Sequence, residues 1–438
     1  MEGGFSKALL VTTSDASEYI VKIPCPNAGK PMYCTASEVA VLNFGAEYIV
    51  MERVPGVQIF KKWGEMGESN RISIIKRLTQ WEHELAEIPF PAFGSLYLKS
   101  SLCGHESISL DPSVDPEGLF CVGPSCDSAW PIQHSPNQYC GPWKTIGDLG
   151  ESLVNRSLLK SQQHLNIRLP TSVKGPLDET LIILGMAKDI MPAVAHNPEL
   201  LAQSQPTLWH TDLHMGNIFV AEDDPAEVTG FIDWQHTSIS PLFLQVRWPV
   251  FLTPPEDYPE GHVFPRLPPG YEEMDAEDKD IALYNKDKAT WSKAYEVATF
   301  LNDRKAWRAM QPPLPLKELF RRCGDTWDEG ILPLRETLIE LFRNQQEFGF
   351  EEDLPLHFSD EQIAVHTKEF QAYQEWHEIR SFVKQVLDTD DEGWIAPDRD
   401  FTEIKARNKM LFDYYVSKPD VNKTPDEVRN LWPFSLDT

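Results

Sequence analysis

The sequence is short of basic residues. It carries 40 Lys and Arg against 67 Asp and Glu, which gives a formal net charge of −27 at pH 7. A field of this sign repels nucleic acids and anionic lipid surfaces, so we expect neither as a general partner. A phosphate-bearing ligand would need cations and backbone N–H groups that are placed locally.

Cysteines are few and irregularly spaced. The chain has seven, and the closest two, Cys121 and Cys126, are too far apart for a CxxC motif. An odd number without a paired pattern favours reduced thiols over a disulfide or zinc framework.

Long apolar runs are missing as well. No stretch approaches the 18 or so residues that would predict a membrane-spanning helix. The start, MEGGFSKALLV, has neither the basic region and long apolar run of a signal peptide nor the Arg-rich character of a transit peptide. We therefore predict no transmembrane segment and see no targeting segment in this chain.

The patterns that are present change from strand-like to helical along the chain. KALLVTT and EYIVKIP flank the turn cluster SDAS and predict a hairpin, and the strand-like AEYIVMERV ends at Pro55-Gly56. Two apolar runs in a loop-like insert at 95–143 predict a further β-hairpin. Helical periodicity follows at 70–87, 145–165, 178–193, 274–302, 314–347, 359–387 and 401–416. This order predicts an α+β chain of two lobes, a small β-rich N-lobe at 1–55 and a larger, mainly α-helical C-lobe at 56–438.

One segment combines polar and apolar residues in a way that suggests chemistry. In HTDLHMGNIFV, Asp212 is followed five residues later by Asn217, and the strand VTGFIDW ends at Asp233 after the turn EDDPAE. Antiparallel pairing of these two strands brings the start of the first close to the end of the second. Asn217 and Asp233 should therefore converge, with Asp212 on the loop that leads in.

One amide oxygen and one carboxylate suit Mg²⁺, which takes its other ligands from water and substrate phosphates. A further carboxylate outside the metal shell, Asp212, can accept a proton from an attacking hydroxyl. Asp-x4-Asn followed by a later Asp is the arrangement of phosphoryl transfer. Two other interpretations stay open, a polar hairpin with capping side chains and a transition-metal triad of His210, Asp212 and His214.

Pieces of a nucleotide site lie upstream. Lys22 stands in the middle of a strand, where it either points at phosphates or extends from an edge strand. Glu38 on the next predicted helix would pair with it, and Gly3 and Gly4 at the mouth of the first hairpin could cover phosphates with backbone N–H groups. Glu52 to Val54 would form an adenine-binding hinge, or else an ordinary strand and turn.

Taken together, these motifs resemble the aminoglycoside phosphotransferase and choline kinase-like family of the protein kinase-like fold. Within that family the sequence is similar to the fungal branch that includes altered inheritance of mitochondria protein nine. The motifs that carry the resemblance are EGGFSKALL, VKIPCPNAG, TASEVAVL, AEYIVMERVPGVQ, GSLYLK, GPW, HTDLHMGNIFV, FIDWQHTSISPLFLQ and DTDDEGW. They extend over nearly the whole chain, with the catalytic loop region at 208–235.

The resemblance implies Asp212 as catalytic base, Asn217 and Asp233 as Mg²⁺ ligands, and Lys22 with its partner Glu38 as the phosphate contact. It implies ATP as donor, a small-molecule hydroxyl as acceptor and a mitochondrial or cytoplasmic location. The alternative is a catalytically weak or inactive kinase-like protein with a scaffold or mitochondrial-maintenance role.

Two features of the expected family pattern deviate in this sequence. By that pattern we expect a truncated N-lobe, without most of its first strand, and EVAVLNF runs directly into GAEYIVMERV without a further loop and strand. We therefore expect AEYIVMERV at a sheet edge.

The acidic cluster DTDDEGW, with Trp394, could bind a cationic acceptor or could be a solvated helix end.

Overall fold

The structure is a computed structural model. It describes residues 6–24, 49–102, 104–127, 130, 140–162, 176–235, 237–255, 258–259, 261, 263–311, 314–387, 389, 400–418 and 423–436. None of the helices in these ranges is both long and apolar enough to cross a bilayer. A small β-sheet region at the N-terminus is followed by a larger helical part, as the sequence predicted for the α+β chain.

The N-terminal sheet has three antiparallel strands. Strand β1 (Ser6–Thr12) pairs with β2 (Glu18–Pro24) as the predicted hairpin, and β2 pairs with β3 (Ile49–Glu52). The order is β1-β2-β3, so β3 has one neighbour among the described residues. Among the described strands β3 is at an edge, and the predicted edge position of AEYIVMERV stays a prediction.

A second sheet is built from the predicted polar hairpin. Strand β4 (Val57–Gln58) pairs with β9 (Ile218–Val220), and β9 pairs with β10 (Val228–Phe231). All three strands are antiparallel in the order β10-β9-β4. The segment that follows the hinge therefore joins the hairpin that carries Asn217 and Asp233.

The insert contains the predicted hairpin with one strand more. Strand β5 (Ser95–Leu98) pairs with β7 (Phe120–Gly123), and β6 (Ile108–Ser109) pairs with the other side of β7. Two short strands on either side of the catalytic loop region, β8 (Pro206–Leu208) and β11 (Ile239–Pro241), also pair with each other.

Helices make up most of the remaining described chain. In order they are α1 (Phe60–Trp63), α2 (Glu68–Ala86), α3 (Ile146–Gln162), α4 (Leu177–Ala195), α5 (Pro198–Leu201), α6 (Leu242–Gln245), α7 (Ala276–Asn302), α8 (Arg304–Ala309), α9 (Leu314–Glu329), α10 (Leu332–Asn344), α11 (Asp360–Leu387), α12 (Phe401–Ser417) and α13 (Pro425–Leu431). The predicted helix at 314–347 is two helices, because Gly330 has a φ of +83° and Pro333 lies in the first turn of the next helix. Helix α13, with a Thr424–Glu427 capping box, was not predicted.

The chain divides into two compact units. The first comprises 1–153 and 191–317, and the second comprises 154–190 and 318–438. The predicted lobe boundary between residues 55 and 56 falls inside the first unit, and that finer division stays a prediction.

The first unit has a core that supports the polar hairpin. Ile218 and Val220 of β9 are buried together with Leu213 of the preceding loop. Apolar residues of α2 and α7 complete the same cluster, among them Ile75, Leu78 and Tyr295. The alternation of β9, with two side chains buried and Phe219 between them less so, fixes which face of the strand meets the core.

Candidate active site

The segment from Asp212 to Asn217 forms a tight turn that is held by hydrogen bonds between its own residues. The Asp212 carbonyl accepts hydrogen bonds from the His214 N–H at 3.1 Å and from Asn217 Nδ2 at 3.0 Å. The Asn217 N–H donates in turn to the His214 carbonyl at 2.9 Å. The side chain of Asp212 is exposed, while Leu213 next to it is buried in the core. The turn thus presents the Asp212 carboxylate at the surface on a fixed backbone.

Asn217 lies at the mouth of the hairpin and is buried, with 4% of its surface exposed. Its amide nitrogen donates to the Asp212 carbonyl, which turns the amide oxygen away from that bond. Its backbone carbonyl accepts from the Ile232 N–H at 3.0 Å. Asn217 is therefore adjacent to the residue before Asp233, as the hairpin prediction required.

Asp233 follows β10 in an unusual conformation. Its φ is +65°, the left-handed region that non-glycine residues seldom occupy. An Asp tolerates this region better than most residues, at a cost of about 1 to 2 kcal/mol. From this position the Asp233 side chain contacts Lys22 of the N-terminal sheet.

Lys22 and Asp233 form a direct ion pair. The Lys22 Nζ lies 2.7 Å from Asp233 Oδ1, although the two residues are 211 positions apart in the chain. The Lys22 side chain is buried, with 9% exposed, and the Asp233 side chain is 39% exposed. Lys22 therefore points into the site and does not extend from an edge strand into solvent.

His210 connects the loop to the end of β10. Its Nε2–H donates to the Ile232 carbonyl at 2.9 Å, and its ring packs edge-on against Trp234. Burial lowers the pKa of His210, because the charged ring is the less favoured form there. Its Nδ1 is buried and has no hydrogen-bond partner among the described residues.

The alternative of a transition-metal triad is wrong. His210 is directed at the Ile232 carbonyl, and His214 Nδ1 accepts from the Gly216 N–H at 3.0 Å. Throughout the described ranges, no three His, Cys, Asp or Glu side chains form a group that could hold a metal. A magnesium site of one amide and one carboxylate needs no such group, because water and phosphate oxygens supply the other ligands.

The side chains of Asn217 and Asp233 supply the oxygen atoms that such a magnesium site needs. Asn217 has an amide oxygen facing away from its own hydrogen bond, and Asp233 has a second carboxylate oxygen beyond the one that meets Lys22. Both are hard oxygen donors at one hairpin mouth.

The hinge segment is close to this hairpin. Glu52 ends β3 opposite Tyr19 and is exposed, while Val54 packs against Gly230 of β10. Gly56 has a φ of +90°, and a Cβ built there would lie 2.1 Å from the Val220 carbonyl oxygen. Only glycine allows the hinge backbone to approach β9 so closely.

Several predicted residues lie outside the described part of the chain. They are Gly3, Gly4 and Glu38, together with the acidic cluster from Asp388 to Trp394 apart from Thr389. Their assigned roles stay predictions.

Gln58 was not predicted as a site residue. Its Nε2 donates to the Gly216 carbonyl at 2.8 Å, from a strand that pairs with β9. The signal was present in the quoted motif AEYIVMERVPGVQ, where a polar residue follows the hinge glycine at a position flanked by Val57 and Ile59.

A cavity of about 480 Å³ borders the end of the hairpin. It is lined by β10, Trp234 and residues of α2, and Trp81 and Phe231 meet there edge-to-face at 4.9 Å. Its lining is largely apolar, with Glu84 as the charged side chain. A ligand in this cavity would contact Trp234, the residue directly after Asp233.

Part of the chain is similar to a known family. Residues 162–244, which contain Asp212, Asn217 and Asp233, match the model of the phosphotransferase enzyme family. The predicted resemblance to aminoglycoside phosphotransferases and their relatives is confirmed.

Individual relatives extend over most of the chain. The chain is 26% identical to a subtelomeric hrmA-associated cluster protein of Aspergillus fumigatus, over 99% of this chain and 95% of that protein. It is 22% identical to altered inheritance of mitochondria protein 9, mitochondrial, of Lachancea thermotolerans, over 92% of this chain and 74% of that protein. A solved structure, the streptomycin–ATP–APH(2'')-IIa ternary complex, is 14% identical with a TM-score of 0.30 and covers 78% of this chain and 93% of its own.

Proposed function

We propose that this protein is an ATP- and Mg²⁺-dependent phosphotransferase that acts on the hydroxyl of a small molecule. The observation that carries the proposal is the contact between Lys22 and Asp233 at 2.7 Å. It joins the residue predicted to contact phosphates to a residue predicted to hold the metal. The family match over the catalytic loop supports the same class of reaction.

The roles of the side chains follow from their chemistry and surroundings. The Asp212 carboxylate would accept the proton of the attacking hydroxyl, since the residue is exposed at the turn. Lys22 would neutralise phosphate charge, and Asn217 with Asp233 would hold Mg²⁺. When bound, the metal ion neutralises charge on the transferred phosphoryl group.

Location and acceptor belong to the same proposal. The names of the relatives from Lachancea thermotolerans and Saccharomyces cerevisiae include the word mitochondrial, which supports a mitochondrial location for this chain. A cationic acceptor is proposed on the basis of the acidic residues in DTDDEGW. The same names support the alternative, a catalytically weak member with a role in mitochondrial maintenance.

Nucleotide titration tests the proposal without knowledge of the acceptor. Calorimetry with ATP in the presence and absence of Mg²⁺ should show Mg²⁺-dependent binding to the full chain. Intrinsic ATP hydrolysis, with water as acceptor, then separates the two functions, because binding without turnover would favour the weak or inactive member. Absence of nucleotide binding under both conditions would reject the phosphotransferase.

Asp212→Asn sharpens the assignment of the base. Proton acceptance contributes about 10²- to 10⁴-fold to such a reaction, so hydrolysis should fall within that range while Mg²⁺·ATP binding is kept. Asp223→Asn, an exposed residue of the hairpin turn, is the matched control and should leave hydrolysis unchanged. Full turnover in Asp212→Asn would show that another group accepts the proton.

A further inference from the structure

The peptide unit between Gly216 and Asn217 is held at both ends. Its N–H, from Asn217, donates to the His214 carbonyl at 2.9 Å. Its carbonyl, from Gly216, accepts from Gln58 Nε2 at 2.8 Å. Two hydrogen bonds on opposite sides of one planar unit fix its orientation, and that orientation sets the direction in which the Asn217 side chain leaves the backbone.

The surroundings of Gly216 leave this arrangement little freedom. The Gly216 N–H donates to His214 Nδ1, and a Cβ at this position would lie 2.7 Å from the His214 ring. The His214 ring thus closes one side of the turn. The partner on the carbonyl side is the amide of Gln58, and because a carbonyl only accepts, the nitrogen of that amide must face it.

Gln58 itself is anchored by backbone pairing. It lies opposite Phe219 in the β4–β9 ladder, and the next residue, Ile59, donates its N–H to the Ile218 carbonyl at 2.9 Å. Ile59 is completely buried. The amide of Gln58 is therefore supplied from a fixed strand and not from a mobile loop.

The same strand continues directly from the hinge. The close approach of Gly56 to Val220 and the hydrogen bond from Thr229 Oγ1 to the Pro55 carbonyl, at 2.6 Å, tie the hinge to both strands of the hairpin. Gln58 comes two residues after Gly56. It stands between the segment proposed to contact adenine and the turn proposed to hold the metal.

We propose that Gln58 is a positioning residue that orients Asn217 toward Mg²⁺ by holding the Gly216 carbonyl. This inference rests on the proposed function. Without the amide donor, the partly buried carbonyl would lose its partner and the peptide could rotate, so Asn217 would meet the metal in a poorer geometry. Groups that orient a ligand in this way change metal affinity by about 10- to 100-fold when removed.

The test compares nucleotide affinity with and without Mg²⁺ in the full chain. Gln58→Met keeps the length of the side chain and removes the donor. We expect the Mg²⁺ concentration needed for half-maximal ATP binding to rise about 10-fold or more, with ATP affinity in the absence of Mg²⁺ unchanged. Gln80→Met, an exposed residue on α2, makes the same substitution away from the hairpin and should behave as wild type.

Gln58→Glu adds a readout that a purely structural role would not give. An ionised carboxylate repels the Gly216 carbonyl, whereas a protonated carboxyl can donate to it. At pH 8, where this carboxyl is ionised, its Mg²⁺ requirement should therefore be higher than that of Gln58→Met.

The outcomes separate the two proposals. If wild type does not bind ATP with Mg²⁺, the proposed function itself is rejected. If wild type binds and Gln58→Met has the Mg²⁺ dependence of wild type, only the role of Gln58 is overturned. Equal losses of affinity with and without Mg²⁺ would likewise overturn it, because they would indicate general damage to the fold.

Discussion

Lys22 Nζ on β2 lies 2.7 Å from Asp233 Oδ1 at the end of β10. The pair links the N-terminal sheet to the β9–β10 hairpin. The sequence predicted that Lys22 contacts phosphate and that Asp233 binds Mg²⁺. Lys22 is the more buried partner, and the Asp233 carboxylate compensates part of its charge.

Replacing Lys22 should weaken nucleotide binding more than it weakens the fold. Lys22→Met keeps the apolar stem and removes the charge, and the partly exposed Asp233 can be solvated. We expect ATP affinity to fall about 10-fold or more, since one close opposite charge in a partly buried site contributes over 1 kcal/mol. Calorimetric titration measures the affinity, and thermal unfolding checks the fold. Lys76→Met, an exposed residue of α2, serves as control. Unchanged ATP affinity would remove Lys22 from the site.

The two proposed metal ligands should differ in strength. Asp233→Ala should raise the Mg²⁺ requirement for ATP binding more than Asn217→Ala does, because a carboxylate carries a full charge and an amide only a dipole. Each variant is compared with its own affinity in the absence of Mg²⁺, which corrects for the hydrogen bond that Asn217→Ala also removes. Equal Mg²⁺ requirements for the two variants would contradict this ranking.

The pH dependence of stability should report on Glu82. This residue is buried on α2, where the Tyr295 hydroxyl donates to its Oε2 at 2.9 Å, and burial raises its pKa from 4.5 to about 8. Between these two values the unfolded chain ionises Glu82 while the folded chain keeps it protonated. The stabilisation relative to the unfolded state is complete below pH 4.5 and is lost as the pH rises toward 8.

Glu82→Gln removes this titration and keeps an acceptor for Tyr295. The free energy of unfolding of wild type, measured relative to Glu82→Gln by chemical denaturation, should fall by about 1.4 kcal/mol per pH unit across that range. Glu84→Gln, an exposed neighbour on the same helix, should run parallel to wild type. Parallel curves for wild type and Glu82→Gln would show that Glu82 ionises normally.

Gly56 should be intolerant of any side chain. Gly56→Ala would place a Cβ against the Val220 carbonyl at a positive φ, so we expect a loss of more than about 1 kcal/mol of stability. Gly64→Ala is the matched control, because Gly64 has a φ of −63° and no atom within 4 Å of the added Cβ. Both are read by thermal unfolding. Similar melting temperatures for the two variants would mean that the hinge can move away from β9.

The local sequence pattern predicted the structure correctly where one hydrophobic period covers the whole element. The β1–β2 hairpin, the β9–β10 hairpin and the insert hairpin were all predicted, because alternating apolar residues around turn clusters specify both strands and their pairing. Prediction was wrong where two helices share one apolar period. The break between α9 and α10 depends on one glycine and one proline, which period alone does not reveal.

The sequence by itself determined that Asn217 lies beside the end of β10, next to the residue before Asp233, since a hairpin with a short turn brings the start of one strand close to the end of the other. It also determined the functional groups of the candidate site, which are the Asp212 carboxylate on the loop and the side-chain oxygens of Asn217 and Asp233 that follow it in the chain. Tertiary structure alone decided that Lys22 reaches Asp233, that His210 turns away from a metal triad, and that Gln58 holds the Gly216 carbonyl. Lys22 and Gln58 come from segments far from the hairpin in the chain, and their contacts depend on how the N-terminal sheet and β4 pack against it. That packing depends on long-range burial, which no local pattern contains.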